Sequence, residues 1–231
     1  MAYSIALFDA DNTLLDFTRA EHEALCECLS SRGLPTDEPT VKLYSTINDS
    51  HWKRLERGET TRARLKVERF ADFFSAVGFE GDPAVMAEDY VAALSRQAHL
   101  LDGAVELIQD LHGKCRLYIV TNGITSVQKS RFGACPLAPY FNACFISEEM
   151  GCAKPEKRFF DLVAAAIEGF DPSRAIVIGD SLSSDIQGGI NAGLATCWYN
   201  PKGIAAPAHM KINHTVTSLC EIKDIILGSH D

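Results

Sequence analysis

Ile5-Ala6-Leu7-Phe8-Asp9-Ala10-Asp11-Asn12-Thr13-Leu14 places four apolar residues directly before two aspartates one residue apart. A short apolar run stopped by polar residues reads as a buried parallel strand, here residues 4–8. Open α/β sheets place their ligand sites beyond the carboxyl ends of such strands. Two carboxylates at that end can divide the work of breaking a phosphate or acyl bond, one attacking and the other moving protons. An Asp-x-Asp pair alone is more often a helix cap or a turn, so its meaning depends on the rest of the chain.

Working outward, three further pieces carry polar residues at the end of an apolar run or in a loop. Leu117-Tyr118-Ile119-Val120 ends in Thr121-Asn122-Gly123, a loop carries Gly151-Cys152-Ala153-Lys154-Pro155, and Ala175-Ile176-Val177-Ile178 ends in Gly179-Asp180-Ser181, with Asp185 following. From Asp102 onward strand-like and helix-like segments alternate, the pattern of a parallel sheet with helices on both faces. Ala104, Leu107, Ile108 and Leu111 give one helical face, as do Phe160, Val163, Ala164 and Ile167. Residues 195–198 read as a late strand, and Ser218 with Glu221 as a capping box before a closing helix.

The interval between the first strand and the next, at 116–120, is helical. Residues 18–31, 38–57, 61–76 and 83–98 read as four helices, the last opened by Asp82-Pro83, a capping Asp before a first-turn Pro. Four helices inserted after a single strand cannot all pack on that strand's sheet. The expectation is therefore an α/β chain in two parts: residues 1–15 and 96–231 form a Rossmann-like, doubly wound core, and residues 16–95 a helical cap.

Taken together and in this order, the four pieces resemble the motifs of the haloacid dehalogenase superfamily: DxDx[TV], a Thr or Ser after the second strand, a Lys, and GDSxxxD. The resemblance implies a Rossmann-like core with a cap inserted after the first motif. It makes Asp9 the nucleophile, forming an acyl-phosphate, and Asp11 the general acid and base. Thr121 and Asn122 are expected to hold phosphoryl oxygens, and Lys154 to neutralise the transferring group and orient Asp9. Members that act as dehalogenases lack an acid at the second position, because halide leaves without a proton, so Asp11 favours phosphatase chemistry. Asp180 and Asp185 bring the carboxylates to four, which at close range calls for a cation or raised pKa values. Oxygen ligands select a hard ion, and Mg²⁺ suits phosphate chemistry. By the same resemblance its ligands are the Asp9 carboxylate, the Asp11 backbone carbonyl and Asp180, with Asp185 bound directly or through water. Asp185 also reads as a helix-start cap.

Composition narrows the partners. Of 231 residues 46% are hydrophobic, ample for a core, and the formal charge of −9 disfavours nucleic acid polymers and anionic membrane surfaces. No apolar stretch approaches the roughly 20 residues of a membrane span. No basic segment precedes the first apolar run, as a secretory signal would require. The eight cysteines include no CxxC pair and read as reduced thiols in a cytoplasmic protein. Neither a Walker A sequence nor GxGxxG occurs.

Within the superfamily, the stretches from Phe8 to Leu14, from Ile146 to Gly151 and from Gly188 to Trp198 look like those of bacterial pyrimidine nucleotide 5′-nucleotidases. A small phosphate ester, a nucleoside monophosphate, is then the expected substrate, with a sugar phosphate or phosphoglycolate as the alternative. A non-catalytic binding module would have lost a nucleophile, acid or metal ligand, and this chain has lost none. Phe17, Tyr44 and Trp52 are the aromatics placed to stack on a base, against the ordinary reading of helical aromatics as packing. His51 reads as a surface or packing residue.

Overall fold

β1 (Ile5–Phe8) is buried along its whole length and lies at the centre of the sheet in a computed structural model that describes residues 2–228. Its neighbours are β2 (Arg116–Thr121) and β4 (Ala175–Gly179), both parallel to it. β3 (Ala143–Ile146), β5 (Ala195–Tyr199) and β6 (His214–Val216) complete a six-stranded parallel sheet in the order β3-β2-β1-β4-β5-β6. The chain runs outward from β1 to β3 on one side and then restarts at β4 on the other. The crevice beyond the carboxyl ends of β1 and β4 is therefore the topological switch point where doubly wound sheets bind ligands.

Alternation along the strands builds two cores. Ala6, Phe8, Leu117, Ile119, Ile176 and Ile178 face α5 (Ala104–Leu111) and α10 (Cys220–Leu227). Ile5, Leu7, Tyr118, Val120 and Val177 face Phe159, Phe160 and Val163 of α8 (Lys157–Ala166). Because side chains alternate with period two, each strand serves both layers. α9 (Gln187–Ala192) sits close to its neighbours because Gly188 and Gly189 carry no side chain. A Cβ on Gly188 would come within 2.6 Å of the Phe160 ring, and one on Gly189 within 2.6 Å of Thr196 Cγ2.

Residues up to Phe17, with those from Ala98 onward, form one compact unit, and Thr18–Gln97 form another. The second is built from α1 (Phe17–Ser30), α2 (Glu38–Glu56), α3 (Arg62–Val77) and α4 (Pro83–Leu94). Asp82 caps α4 by accepting from Ala84 N at 2.8 Å, with Pro83 in the first turn. Asp37 and Thr61 cap α2 and α3 in the same way. The centre of this unit is aromatic: Tyr44 stacks on Phe70 at 5.1 Å and meets Phe73 edge-on at 5.7 Å.

The edge strands β3 and β6 are absent from the sequence reading. At four and three residues, neither is long enough to show a period. The capping box at Ser218 is half formed: the Glu221 carboxylate accepts from Ser218 N at 2.8 Å, but the Ser218 hydroxyl faces Cys220 Sγ. All eight cysteines are free, and burial pushes the Cys115, Cys144 and Cys197 thiols up to about 12. Among the described residues no helix is long and apolar enough to cross a membrane.

Candidate active site

The sheet register sets the acids side by side. Phe8 lies opposite Ile119 of β2 and Ile178 of β4, so Asp9, Thr121 and Asp180 all emerge at the carboxyl edge. Asp9 N donates to Ile178 O at 2.8 Å, extending the ladder by one bond. The chain then turns back sharply: Asn12 N donates to Leu15 O, and both Leu14 N and Leu15 N to Ala10 O. Asn12 occupies the left-handed region, φ 57°, which Asn tolerates better than most residues.

Lys154 is the hub of the site. Its Nζ donates to Asp9 Oδ1 at 2.6 Å, to Asp185 Oδ1 at 2.6 Å and to Val120 O at 2.8 Å. Three acceptors match the three protons of an ammonium, so this buried cation is fully satisfied. Burial alone would lower its proton affinity, but Asp185 and Asp9 outweigh burial and hold it well above the usual lysine range. Asn122 fixes the lysine's backbone from both sides, its Nδ2 donating to Lys154 O at 2.8 Å and its Oδ1 accepting from Lys154 N at 3.0 Å. One Nδ2 proton and Oδ1 of Asn122 are thus engaged in shaping the lysine loop.

Asp185 lies in a π-helical turn, Leu182–Ile186, a distortion frequent at functional sites. Its Oδ2 accepts from Ser181 N at 3.0 Å, while the Ser181 hydroxyl caps the turn by accepting from Ser184 N. The helix-start role assigned to Asp185 thus belongs to Ser181, and the π turn swings the Asp185 carboxylate back over the strand end. It lies so close that a Cβ on Gly179 would fall 2.2 Å from Asp185 Oδ2. Trp198 Nε1 donates to Asp180 O at 2.9 Å and holds the neighbouring loop.

One carboxylate oxygen from each of Asp9, Asp180 and Asp185 lies within 4.8 Å of the others. Burial, opposed by Lys154 and reinforced by Asp185, Asp180 and Asp11, pushes the Asp9 carboxyl well up. Burial and then Asp185 push Asp180 up to about 7. Three carboxylates against one ammonium leave an excess of acidic groups at this largely buried sheet edge. An oxygen-only donor set with that excess fits a hard divalent cation such as Mg²⁺.

Asp11 is engaged separately. Its Oδ1 accepts from Arg131 Nη1 at 2.5 Å and its Oδ2 from Gln128 Nε2 at 2.8 Å. The Gln128 amide also donates to Thr121 Oγ1 at 2.7 Å. Both residues lie on α6 (Thr125–Gly133), which follows Thr121-Asn122-Gly123, and neither figures in the sequence reading. The only local hint is two long polar residues at i and i+3 on one face of a helix. Phe17 is half-buried, its ring 5.8 Å from the Arg131 guanidinium. Tyr44 is fully buried in the aromatic centre of the helical unit, so it has no face to offer a base, and that expectation is withdrawn. Trp52 is half-buried on α2. His51 is a packing residue, buried with Nε2 2.8 Å from Asp72 Oδ2.

Comparison with known proteins follows the same lines. Residues 3–193 match the haloacid dehalogenase-like hydrolases. The chain belongs to that family. This haloacid dehalogenase-like hydrolase is 37% identical to the pyrimidine 5′-nucleotidase PynA of Streptococcus pneumoniae, over 98% of this chain and 96% of that protein. It is 33% identical to the pyrimidine 5′-nucleotidase YjjG of Escherichia coli, over 98% and 99%. The magnesium-bound crystal structure of the HAD-hydrolase YfnB from Bacillus subtilis superposes with a TM-score of 0.93 at 36% identity, covering 98% of this hydrolase and 99% of that chain.

Proposed function

We propose that the protein is a Mg²⁺-dependent phosphomonoesterase that removes the 5′-phosphate of pyrimidine nucleoside monophosphates through an aspartyl-phosphate on Asp9. The observation that carries the chemistry is the pairing of a buried, lysine-held Asp9 with a second carboxylate, Asp11, two residues on and held by separate donors. The names of the two nucleotidase relatives, each similar over nearly the whole chain, support the substrate class.

In this reading the Asp9 carboxylate attacks phosphorus as the ester P–O bond breaks, and Asp11 delivers a proton to the departing ribose oxygen. Asp11, now ionised, takes a proton from water. That water attacks the phosphorus of the aspartyl-phosphate, releasing inorganic phosphate and restoring Asp9. Lys154 orients Asp9 and offsets negative charge on the phosphoryl oxygens. The Thr121 hydroxyl accepts from Gly123 N at 3.1 Å and from Gln128 Nε2. With both lone pairs engaged, its proton is left to donate to a phosphoryl oxygen. Asp9, Asp180 and the Asp11 carbonyl would hold Mg²⁺, which when bound supplies positive charge beside the transferring group. Both Asp185 oxygens already accept hydrogen bonds, so Asp185 fits a role through water and through Lys154.

Phosphate release is the test, measured over pyrimidine and purine nucleoside monophosphates, sugar phosphates and phosphoglycolate, with Mg²⁺ or with chelator. The expected result is metal-dependent release with the highest kcat/KM on pyrimidine nucleotides. A preference for a sugar phosphate or phosphoglycolate would retain the mechanism and remove the nucleotidase reading. Asp9→Asn is expected to release no phosphate above background from any of these esters.

A further inference from the structure

Gln128 and Arg131 touch no reacting atom in the chemistry above, yet both end on its general acid. They stand one helical turn apart on α6 and are buried, at 2% and 0% exposure. Each takes a different oxygen of Asp11, so the carboxylate cannot rotate without breaking both bonds. Gln128 Oε1 also accepts from Arg131 Nη1 at 3.4 Å, which ties the two donors to each other. The second proton of the Gln128 amide goes to Thr121 Oγ1. One amide therefore spans the proton carrier and the hydroxyl assigned to a phosphoryl oxygen.

The turn beneath is shaped for this amide. A Cβ at Gly123 would stand 2.5 Å from Gln128 Nε2 and 2.6 Å from its Cγ. The Gly of Thr-Asn-Gly is thus the space in which Gln128 lies, and any side chain there would expel it. On the other flank the Arg131 guanidinium lies over the Phe17 ring.

We propose that Gln128 and Arg131 are positioning residues that lock the Asp11 carboxylate to Thr121, so that phosphoryl capture and proton delivery to the leaving oxygen are aligned as one unit. The inference rests on the phosphomonoesterase reading and deepens it. Alignment matters because a displacement of about 1 Å can cost on the order of 100-fold in rate.

The test exploits the leaving group. A nitrophenolate departs with little need of a proton, whereas a ribose alkoxide requires one, so a misaligned acid harms the nucleotide selectively. Values of kcat/KM are compared for p-nitrophenyl phosphate and for the alkyl phosphate the wild type cleaves best. This parameter covers steps through the first P–O cleavage and leaves out hydrolysis of the aspartyl-phosphate. Gln128→Leu keeps the volume and removes both donors; Arg131→Lys keeps the charge and loses the fork. Arg131→Lys is expected to lower kcat/KM on the alkyl ester by about 10-fold or more while p-nitrophenyl phosphate changes by less than about threefold; Gln128→Leu, which also releases the Thr121 hydroxyl, is expected to lower both, the alkyl ester by about 10-fold more. In an Asp11→Asn background, Arg131→Lys should have no further effect on the alkyl ester, because it acts through the carboxylate already removed. Near-UV circular dichroism identifies a variant that has lost its fold. In that case Gln128→Glu, which keeps the length but sets an acceptor against Asp11, gives the same comparison. Equal loss on both esters, or full multiplication of the two defects in the double variant, would overturn the inference and leave the phosphatase reading intact. Failure of the wild type to cleave either ester would remove both.

Discussion

At the scale of a single residue, Gly179 shows how little room the site has. The Asp185 carboxylate fills the place of its missing side chain, with Oδ2 2.2 Å and Cγ 2.3 Å from where a Cβ would lie. In Gly179→Ala the backbone at the end of β4, paired there with Trp198 of β5, resists displacement, so the Asp185 carboxylate must move. Its displacement breaks the bond from Lys154 and frees that amine to pull differently on Asp9. We expect kcat to fall by about 100-fold, the scale of loss for a mispositioned catalytic group, while circular dichroism stays native. A Gly179→Ala protein with wild-type phosphate release would show that the carboxylate's position is not critical. The gathering of Asp9, Lys154 and Asp180 at one sheet edge, with Asp11 beside them, was expected from sequence, because each sits at a recognisable strand end or in a motif of fixed spacing. Gln128 and Arg131 were not, since they meet Asp11 across 117 and 120 residues of chain, a distance over which no local pattern carries information.

At the scale of elements, β1, β2 and β4 were legible because each is a run of apolar residues buried on both faces and stopped by polar ones. The four inserted helices were legible from Gly and Pro punctuation and from capping residues such as Asp82. What their periodicity did not disclose was which aromatics face inward, and Tyr44 proved to be at the centre. The same unit holds a polar chain running through α1, α2 and α3. Glu21 accepts from Ser45 Oγ at 2.6 Å and from Asn48 Nδ2 at 2.7 Å, and Asn48 Oδ1 accepts from Arg69 Nη1 at 2.9 Å. Arg69 is buried over the rings of Phe70 and Tyr90, and Glu21 supplies the compensating charge. Removing that carboxylate in Glu21→Ala should cost about 3 kcal/mol, the scale for leaving a buried charge uncompensated, read from urea unfolding at neutral pH. A pH term of definite sign accompanies it. Burial, only partly offset by Ser45, Asn48 and Arg69, raises the Glu21 carboxyl above its ordinary value. The folded state therefore holds the proton more tightly, and this term lowers stability as pH rises from the ordinary glutamate range to the raised one. Glu21→Gln should remove that slope; an unchanged slope would place its origin in another group.

At the scale of the whole molecule, an acidic chain of net charge −9 concentrates three carboxylates at one sheet edge, and their mutual repulsion is a cost of folding that a cation can relieve. Burial and then the neighbouring Asp185 push Asp180 up to about 7 even with Lys154 opposing them. A ligand that binds only the folded state stabilises it by mass action, about 2.7 kcal/mol at a concentration one hundred times its dissociation constant. For a chain of this size that corresponds to a rise in Tm of roughly 5–10 °C. Thermal unfolding with increasing Mg²⁺ should show such a rise, saturating as the site fills, whether or not any substrate is known. Asp180→Asn removes one ligand and part of the repulsion together, so two changes are expected from it. The protein without magnesium should melt no lower than wild type, and the magnesium-dependent rise should largely disappear. If the rise persisted in Asp180→Asn at the same Mg²⁺ concentrations, the ion would be binding elsewhere on the acidic surface, and the Asp9, Asp180 and Asp185 cluster would have to be read as a purely electrostatic device for holding Lys154.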